Sequence, residues 1–149
     1  MILGEINRAA GITTTLDDLF RRAGVRHPEA PALVDAPNRQ SFTDGAARTL
    51  SYAQADHAIS AVAARLRSFG LPTDAVVAMQ LPNTVDSIVA FLGILRAGMI
   101  AAPVPLLWRR RDMVDALGRV GAQAIVTCAR AGSVAHAEIA MHTAAALFP

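Results

Sequence analysis

Four histidines, one cysteine, twelve carboxylates and fourteen guanidinium groups are the reactive inventory of this 149-residue chain. Few of them fall at spacings that chemistry can use. His27, His57, His136 and His142 match no metal-ligand pattern, and Cys128 has no second cysteine to complete a zinc site or a redox pair. They read as surface or packed side chains. Asp17 and Asp18 resemble a carboxylate pair, but neighbours on a helix point apart, and the free amides of a helix start explain acidic residues there. Arg109, Arg110 and Arg111 form the one charge cluster. Such a triad could meet a nucleotide phosphate or a partner, and the simpler reading is a solvated helix start. All fourteen cations are Arg, so no ammonium on a flexible stem is available for phosphate handling. There is no G-x-x-x-x-G-K-S/T loop, no G-x-G-x-x-G and no G-x-S-x-G, and Gly118 with Gly121 has neither the spacing nor the lysine to hold phosphates. The residues nominate no catalytic, cofactor-binding or metal-binding position.

The elements that would carry a site are organised around Val76 to Leu106. Val76 to Leu81 is a short apolar run with two β-branched residues, as a strand buried on both faces requires, and Pro82 stops it. Asn83 is the expected N-cap of a helix running to about Arg96, with Asp86 at its positive end. Val85, Ile88, Val89, Leu92 and Leu95 form its stripe, which Phe91 and Ile94 widen until both sides must be covered. Gly93 inside this helix costs about 1 kcal/mol relative to Ala, which points to a close structural contact. Gly98 suits the left-handed position after the last turn, and Ile100 to Val104 is a second buried strand, parallel to the first.

Upstream, Thr15 with Asp18 and Ser51 with Gln54 are capping boxes. The first opens a short helix ending near Gly24. The second opens a long one from Tyr52 to about Phe69, with Ala55, Ile59, Val62, Ala63, Leu66 and Phe69 inward. Between them, Ala32 to Asp35 and Thr49 to Ser51 are expected to pair as a small hairpin around an exposed loop, APNRQSFTDGAAR. Downstream, RRRDMVDALGRVGA reads as a helix with Met113, Val114, Leu117 and Val120 inward. Ala122 to Cys128 is a third buried strand, and Ser133 is the expected cap of a last helix ending near Leu147. The fold class is therefore α/β: an incomplete doubly wound, mainly parallel sheet with helices on both faces, preceded by a helix and a small β-hairpin.

At 53% hydrophobic and 17% charged, with a formal net charge of +2, the chain supports one sizeable core. Scattered arginines argue against a nucleic-acid stripe. One cysteine agrees with a reducing, cytoplasmic setting, the N-terminus lacks the pattern of a signal peptide, and the most apolar region is too interrupted to cross a bilayer. Residues 1–149 read as a single subdomain, with 1–14 a flexible lead and 15–149 the fold. Three parallel strands leave open edges and an uncovered apolar face, as a part of something larger would.

RTLSYAQADHAISAVAARLRSFGL, at Arg48 to Leu71, resembles the first core motif of the adenylate-forming, AMP-binding enzymes. ILRAGMIAAPVPL, at Ile94 to Leu106, is similar to their second, L-K/R-A-G followed by small apolar residues and V-P. VVAMQLPNTVDSIVAFLG and VGAQAIVT match the family's intervening helix and following strand, so the resemblance covers Thr15 to about Thr127. The stretch WRRRDMVDALGRVGAQAIVT is more similar to acyl-CoA synthetases than to peptide-synthetase adenylation domains. The resemblance implies ATP-dependent activation of a small carboxylic acid as an acyl adenylate, followed by displacement of AMP by the thiol of coenzyme A. ATP, magnesium and coenzyme A are implied for the full-length family, and none is bound by this segment. The family's catalytic residues, including its lysine, fall on none of these positions. The expectation is an N-terminal fragment of an acyl-CoA synthetase, inactive without the remainder of the parent enzyme. The alternatives are part of an acyl-AMP ligase that passes its product to a carrier protein, and a non-catalytic module acting through its exposed sheet. A flavodoxin-type nucleotide module would need a phosphate loop where LPNTVD stands, and Pro82 removes an amide there.

Overall fold

The computed structural model describes residues 14–148, and the expected lead over residues 1–14 lies outside them except for Thr14. In chain order the elements are α1 (Leu16–Arg26), β1 (Pro31–Val34), β2 (Thr49–Ser51), α2 (Tyr52–Arg67), β3 (Val76–Gln80), α3 (Val85–Arg96), β4 (Ile100–Pro103), α4 (Arg110–Arg119), β5 (Ala122–Thr127), β6 (Arg130–Ala131), β7 (Val134–Ala135) and α5 (His136–Leu147). β3 is central in a parallel sheet of order β4-β3-β5, with Val76 to Met79 opposite Ile100 to Pro103 and Val77 to Gln80 opposite Ala124 to Thr127. β1 and β2 pair antiparallel beside it.

The period-2 alternation of β3 decides which helices cover which face. Val77 and Met79 are buried with Leu66 of α2 and Ala90 and Ile94 of α3. Ala78 is buried on the other side with Met113 and Leu117 of α4, and Ile139 and Leu147 of α5 pack against them. Helices thus lie on both faces. A third cluster joins Ile59 of α2 to Val85, Val89 and Leu92 of α3, with Phe20, Leu33 and Leu50 tying α1 and the hairpin to the same layer. The glycine of α3 has the expected structural cause: a Cβ at Gly93 would lie 2.6 Å from Val62 Cγ1, so its absence lets α2 and α3 approach. No described helix is long and apolar enough to cross a membrane.

Both capping boxes form: Thr15 with Asp18, and Ser51 with Gln54, each exchange two hydrogen bonds. Other ends differ from expectation. The cap of α3 is Thr84 rather than Asn83, because the first helical amide, on Val85, is satisfied by a carboxylate from outside the helix. α2 stops at Arg67 and the chain reverses at Gly70 (φ 71°), which turns Phe69 out of the stripe to lie 57% exposed under the Arg65 guanidinium. Val120 is the C-cap of α4 and 53% exposed, not inward. Ser133 sits in the turn of a small β6–β7 hairpin, so α5 starts at His136 without a side-chain cap.

Candidate functional site

In wound sheets the ligand crevice opens beyond the carboxyl ends of the strands, where successive helices part to opposite faces. That point here lies between β3, which leads to α3, and β5, which leads to α5 on the other face. Gln80 ends β3 with no exposed surface. Its Nε2 donates to the carbonyls of Pro105 and Trp108 (both 3.0 Å), and its backbone oxygen accepts from Thr127 Oγ1 at 3.0 Å. With the amide nitrogen committed to two acceptors, Gln80 Oε1 faces His136 Nδ1 at 3.1 Å, and the network assigns the proton to that nitrogen. Burial, helped by the charge of Arg109, lowers the His136 pKa and keeps the ring neutral. The inner side of the crevice is filled by the chain's own polar groups.

The start of α3 is filled as well. Val85 N–H donates to Asp35 Oδ1 at 2.7 Å, while Arg39 Nη1 and the Arg48 N–H donate to Asp35 Oδ2 at 2.7 and 3.0 Å. Burial alone would raise the Asp35 pKa, and these three donors outweigh it and hold the carboxyl below the ordinary carboxylate range. Arg39 Nη2 reaches Asp86 at 2.5 Å, and Arg48 pairs with the same carboxylate. A helix N-terminus suits an anion. Asp35 is that anion, built in.

The expected exposed loop between the two hairpin strands is therefore corrected: it holds a 3-10 turn at Arg39–Ser41, and Arg39 and Thr43 are buried. At the other end of α3, Arg96, from the second motif, forks onto Asp17 through Nε (3.0 Å) and Nη2 (2.7 Å) and also reaches Asp56 and Ser60. Asp17 is thus a tie between helices, while Asp18 is the cap. Within the arginine triad, Arg109 turns back so that Nη1 donates to the carbonyls of Leu106, Leu107 and Trp108. Arg110 and Arg111 are solvated. His27, His57 and His142 are exposed, and burial pushes the Cys128 thiol pKa up. Among the described residues no group of three or more His, Cys, Asp or Glu converges on a metal position.

Two of the open concavities lie against α3. One, of about 260 Å³, lies at the ends of β3 and β4 among Met79, Leu81, Asn83, Ser87, Phe91 and Val104. The other, of about 410 Å³, runs between α1 and α3 with Leu16, Leu19, Phe20 and Ile88 as apolar walls. Neither is lined by a nucleophile beside a base.

A parallel sheet wound on both faces, entered through a capped helix and a hairpin, is a wound α/β architecture. Residues 20–147 match the sequence pattern described as AMP-binding enzyme, and the chain belongs to that family. The match runs past Thr127 to take in β6, β7 and all of α5. The chain is 33% identical over 103 residues to the bassianolide nonribosomal cyclodepsipeptide synthetase of Beauveria bassiana, across 67% of this chain and 3% of that protein. It is 32% identical over 122 residues to long-chain fatty acid transport protein 1 of Homo sapiens, across 82% of this chain and 18% of that one. The solved structure of the Klebsiella oxytoca NpsA N-terminal subdomain in complex with 3-hydroxybenzoyl-AMSN shares the fold at a TM-score of 0.64 and 22% identity, over 77% of this chain and 27% of that chain. The chain thus spans a small part of the length of the relatives it matches.

Proposed function

We infer that this chain is the opening subdomain of an enzyme that uses ATP and magnesium to activate a small carboxylic acid as an acyl adenylate, and that it forms no adenylate by itself. One observation carries this reading: the motif residues are spent on structure. Ser51 and Gln54 cap α2, and Arg96 ties α3 to α1 and α2. The reacting groups are left to other segments of the polypeptide, the partner this reading requires. Residues 15–149 act as one unit and supply no catalytic, cofactor or metal ligand.

For the acyl acceptor we propose coenzyme A, on the likeness of the Trp108 to Thr127 stretch to acyl-CoA synthetases, and a cytoplasmic setting in keeping with the single Cys128. A second reading, transfer to a carrier protein, is favoured by the nonribosomal synthetase among the relatives. Both acceptors present a thiol to the same adenylate. The test is ATP–pyrophosphate exchange over a panel of carboxylic acids, comparing this chain with a polypeptide continuing through the family's later motifs. Exchange by the longer polypeptide alone is expected, and exchange by residues 1–149 would overturn the assignment. Adding coenzyme A or a phosphopantetheinylated carrier protein to the active form, and reading which becomes acylated, separates the two acceptors.

A further inference from the structure

α1 is tied to the body of the fold but left half uncovered. Asp17 takes the Arg96 fork and the Phe20 ring lies 5.3 Å from that of Tyr52, yet no residue of the helix is buried. Leu16 and Leu19 are each 53% exposed, and Ile88 of α3, which shares their groove, is 39% exposed. The groove holds about 410 Å³, is lined also by Phe20 and Phe91, and has no charged side chain in its walls. Such a cleft gains from covering by apolar groups and loses from covering by an unpaired charge.

We propose that the groove between α1 and α3 is the seat of this chain's own residues 1–13, MILGEINRAAGIT, entered by Ile2, Leu3 and Ile6. The segment brings Met1, Ile2, Leu3, Ile6 and Ile12, with one charge of each sign at Glu5 and Arg8. It joins the fold at Thr14, two residues before Leu16, and so begins beside a wall of the groove. Thirteen residues reach up to about 43 Å when extended, while the eleven residues of α1 rise only about 16 Å. The segment can therefore double back along the whole helix. Its tether keeps the apolar side chains at an effective concentration in the millimolar range, which a second copy or a separate partner would have to match from solution. The family pattern starts at residue 20, so Leu16, Leu19 and the segment all lie outside the matched residues. That favours a cover particular to this chain over a part of the common enzyme.

The test is oxidative cross-linking of cysteine pairs in the protein that carries this chain, read by peptide mass spectrometry and non-reducing electrophoresis. Leu3→Cys with Ile88→Cys forms a disulfide within one chain at least about fivefold faster than Leu3→Cys with Val25→Cys. Val25 is the control because it is 85% exposed and lines no part of the groove. Deleting residues 2–13 accelerates hydrogen exchange in 16–26 about tenfold and leaves 76–96 level. Leu3→Asp with Ile6→Asp has the same effect, since a carboxylate finds no partner among those walls. Equal linking at both positions, or none at Ile88, would overturn the seat. A Leu3–Ile88 link that joins two chains would overturn it in favour of a second copy. Unchanged exchange in 16–26 after the deletion would also overturn it, as would a loss of protection spreading evenly over 76–96, which marks a segment that holds the whole fold and not one groove.

Discussion

The two ends of α3 are held by the same chemistry in different surroundings. At the start, Arg39 joins Asp35 and Asp86; at the finish, Arg96 joins Asp17 and Asp56. Both arrangements agree with the helix dipole, which favours carboxylates at the N-terminus and a guanidinium in the last turn. At the start, however, the Asp35 side chain is fully buried and accepts from two backbone amides as well as from Arg39. At the finish every partner keeps some exposure, from 12% for Arg96 to 42% for Asp56. Burial therefore decides the role: the first end fixes where the helix begins, and the second fastens layers already formed.

The largest effect is expected at Asp35. Asp35→Ala leaves Arg39 buried without its buried partner and the Val85 amide without its acceptor, which costs about 3–5 kcal/mol. Urea denaturation measures it, and a loss under about 1 kcal/mol would mean that water replaces the carboxylate without penalty. The acid limb of stability follows from the same group. Its folded pKa lies below the unfolded value, so its contribution is complete above about pH 3.9 and is lost as pH falls through the lower folded value. Asp35→Ala flattens that limb.

Between the two charged ends α3 is held by contact alone. Gly93→Ala places a methyl 2.6 Å from Val62 Cγ1 and 3.3 Å from the Ile59 carbonyl. Overpacking of this kind costs about 1–3 kcal/mol, of which the better helix propensity of Ala returns at most about 1. Val62→Ala in the same chain relieves part of the loss, so the double variant is more stable than the sum of the single effects. Simple additivity, read from thermal unfolding, would place the strain elsewhere.

How much of this was legible in the sequence depended on chain separation. The β3–α3–β4 unit, both capping boxes and the close contact at Gly93 were readable because each is written within a few residues, by apolar period, turn residues and the cost of a mid-helix glycine. Asp35 meets Val85 across 50 residues and Arg96 meets Asp17 across 79, and no local pattern records either. Asp35 looked like a strand end, and Arg39 like a residue of a polar loop. The only local signal was an Asp followed four positions later by an Arg at the edge of an apolar strand, a spacing that fits a turn folded over a helix start. Gln80 and His136 were invisible for the same reason: a buried amide facing a buried imidazole reads in sequence as two isolated polar residues.

Arg96 should lie below Asp35 and near or below Gly93. Arg96→Lys keeps the charge but cannot fork onto Asp17 while also reaching Asp56 and Ser60, and a loss of about 1–2 kcal/mol is expected. Half-buried pairs are also partly screened, so the difference between wild type and variant should shrink as salt rises. A salt-independent loss would mean that packing of the arginine stem against α1 and α2 carries the effect instead of charge.

The smallest effect, and the sharpest check on burial as the deciding variable, is expected at Arg48. Its guanidinium pairs with Asp86, but both side chains are about half exposed, and the bond it gives Asp35 comes from its backbone amide, which Ala retains. Arg48→Ala should therefore cost about 0.2–1 kcal/mol at low salt and close to nothing at high salt. It lies within one hydrogen-bond network of Asp35, so proximity alone would predict a comparable loss for the two substitutions. If Arg48→Ala approached the cost of Asp35→Ala, the network would act as one unit and exposure would not rank its members. If the two differ severalfold, the buried carboxylate alone sets the start of α3, and the outer pair only trims it.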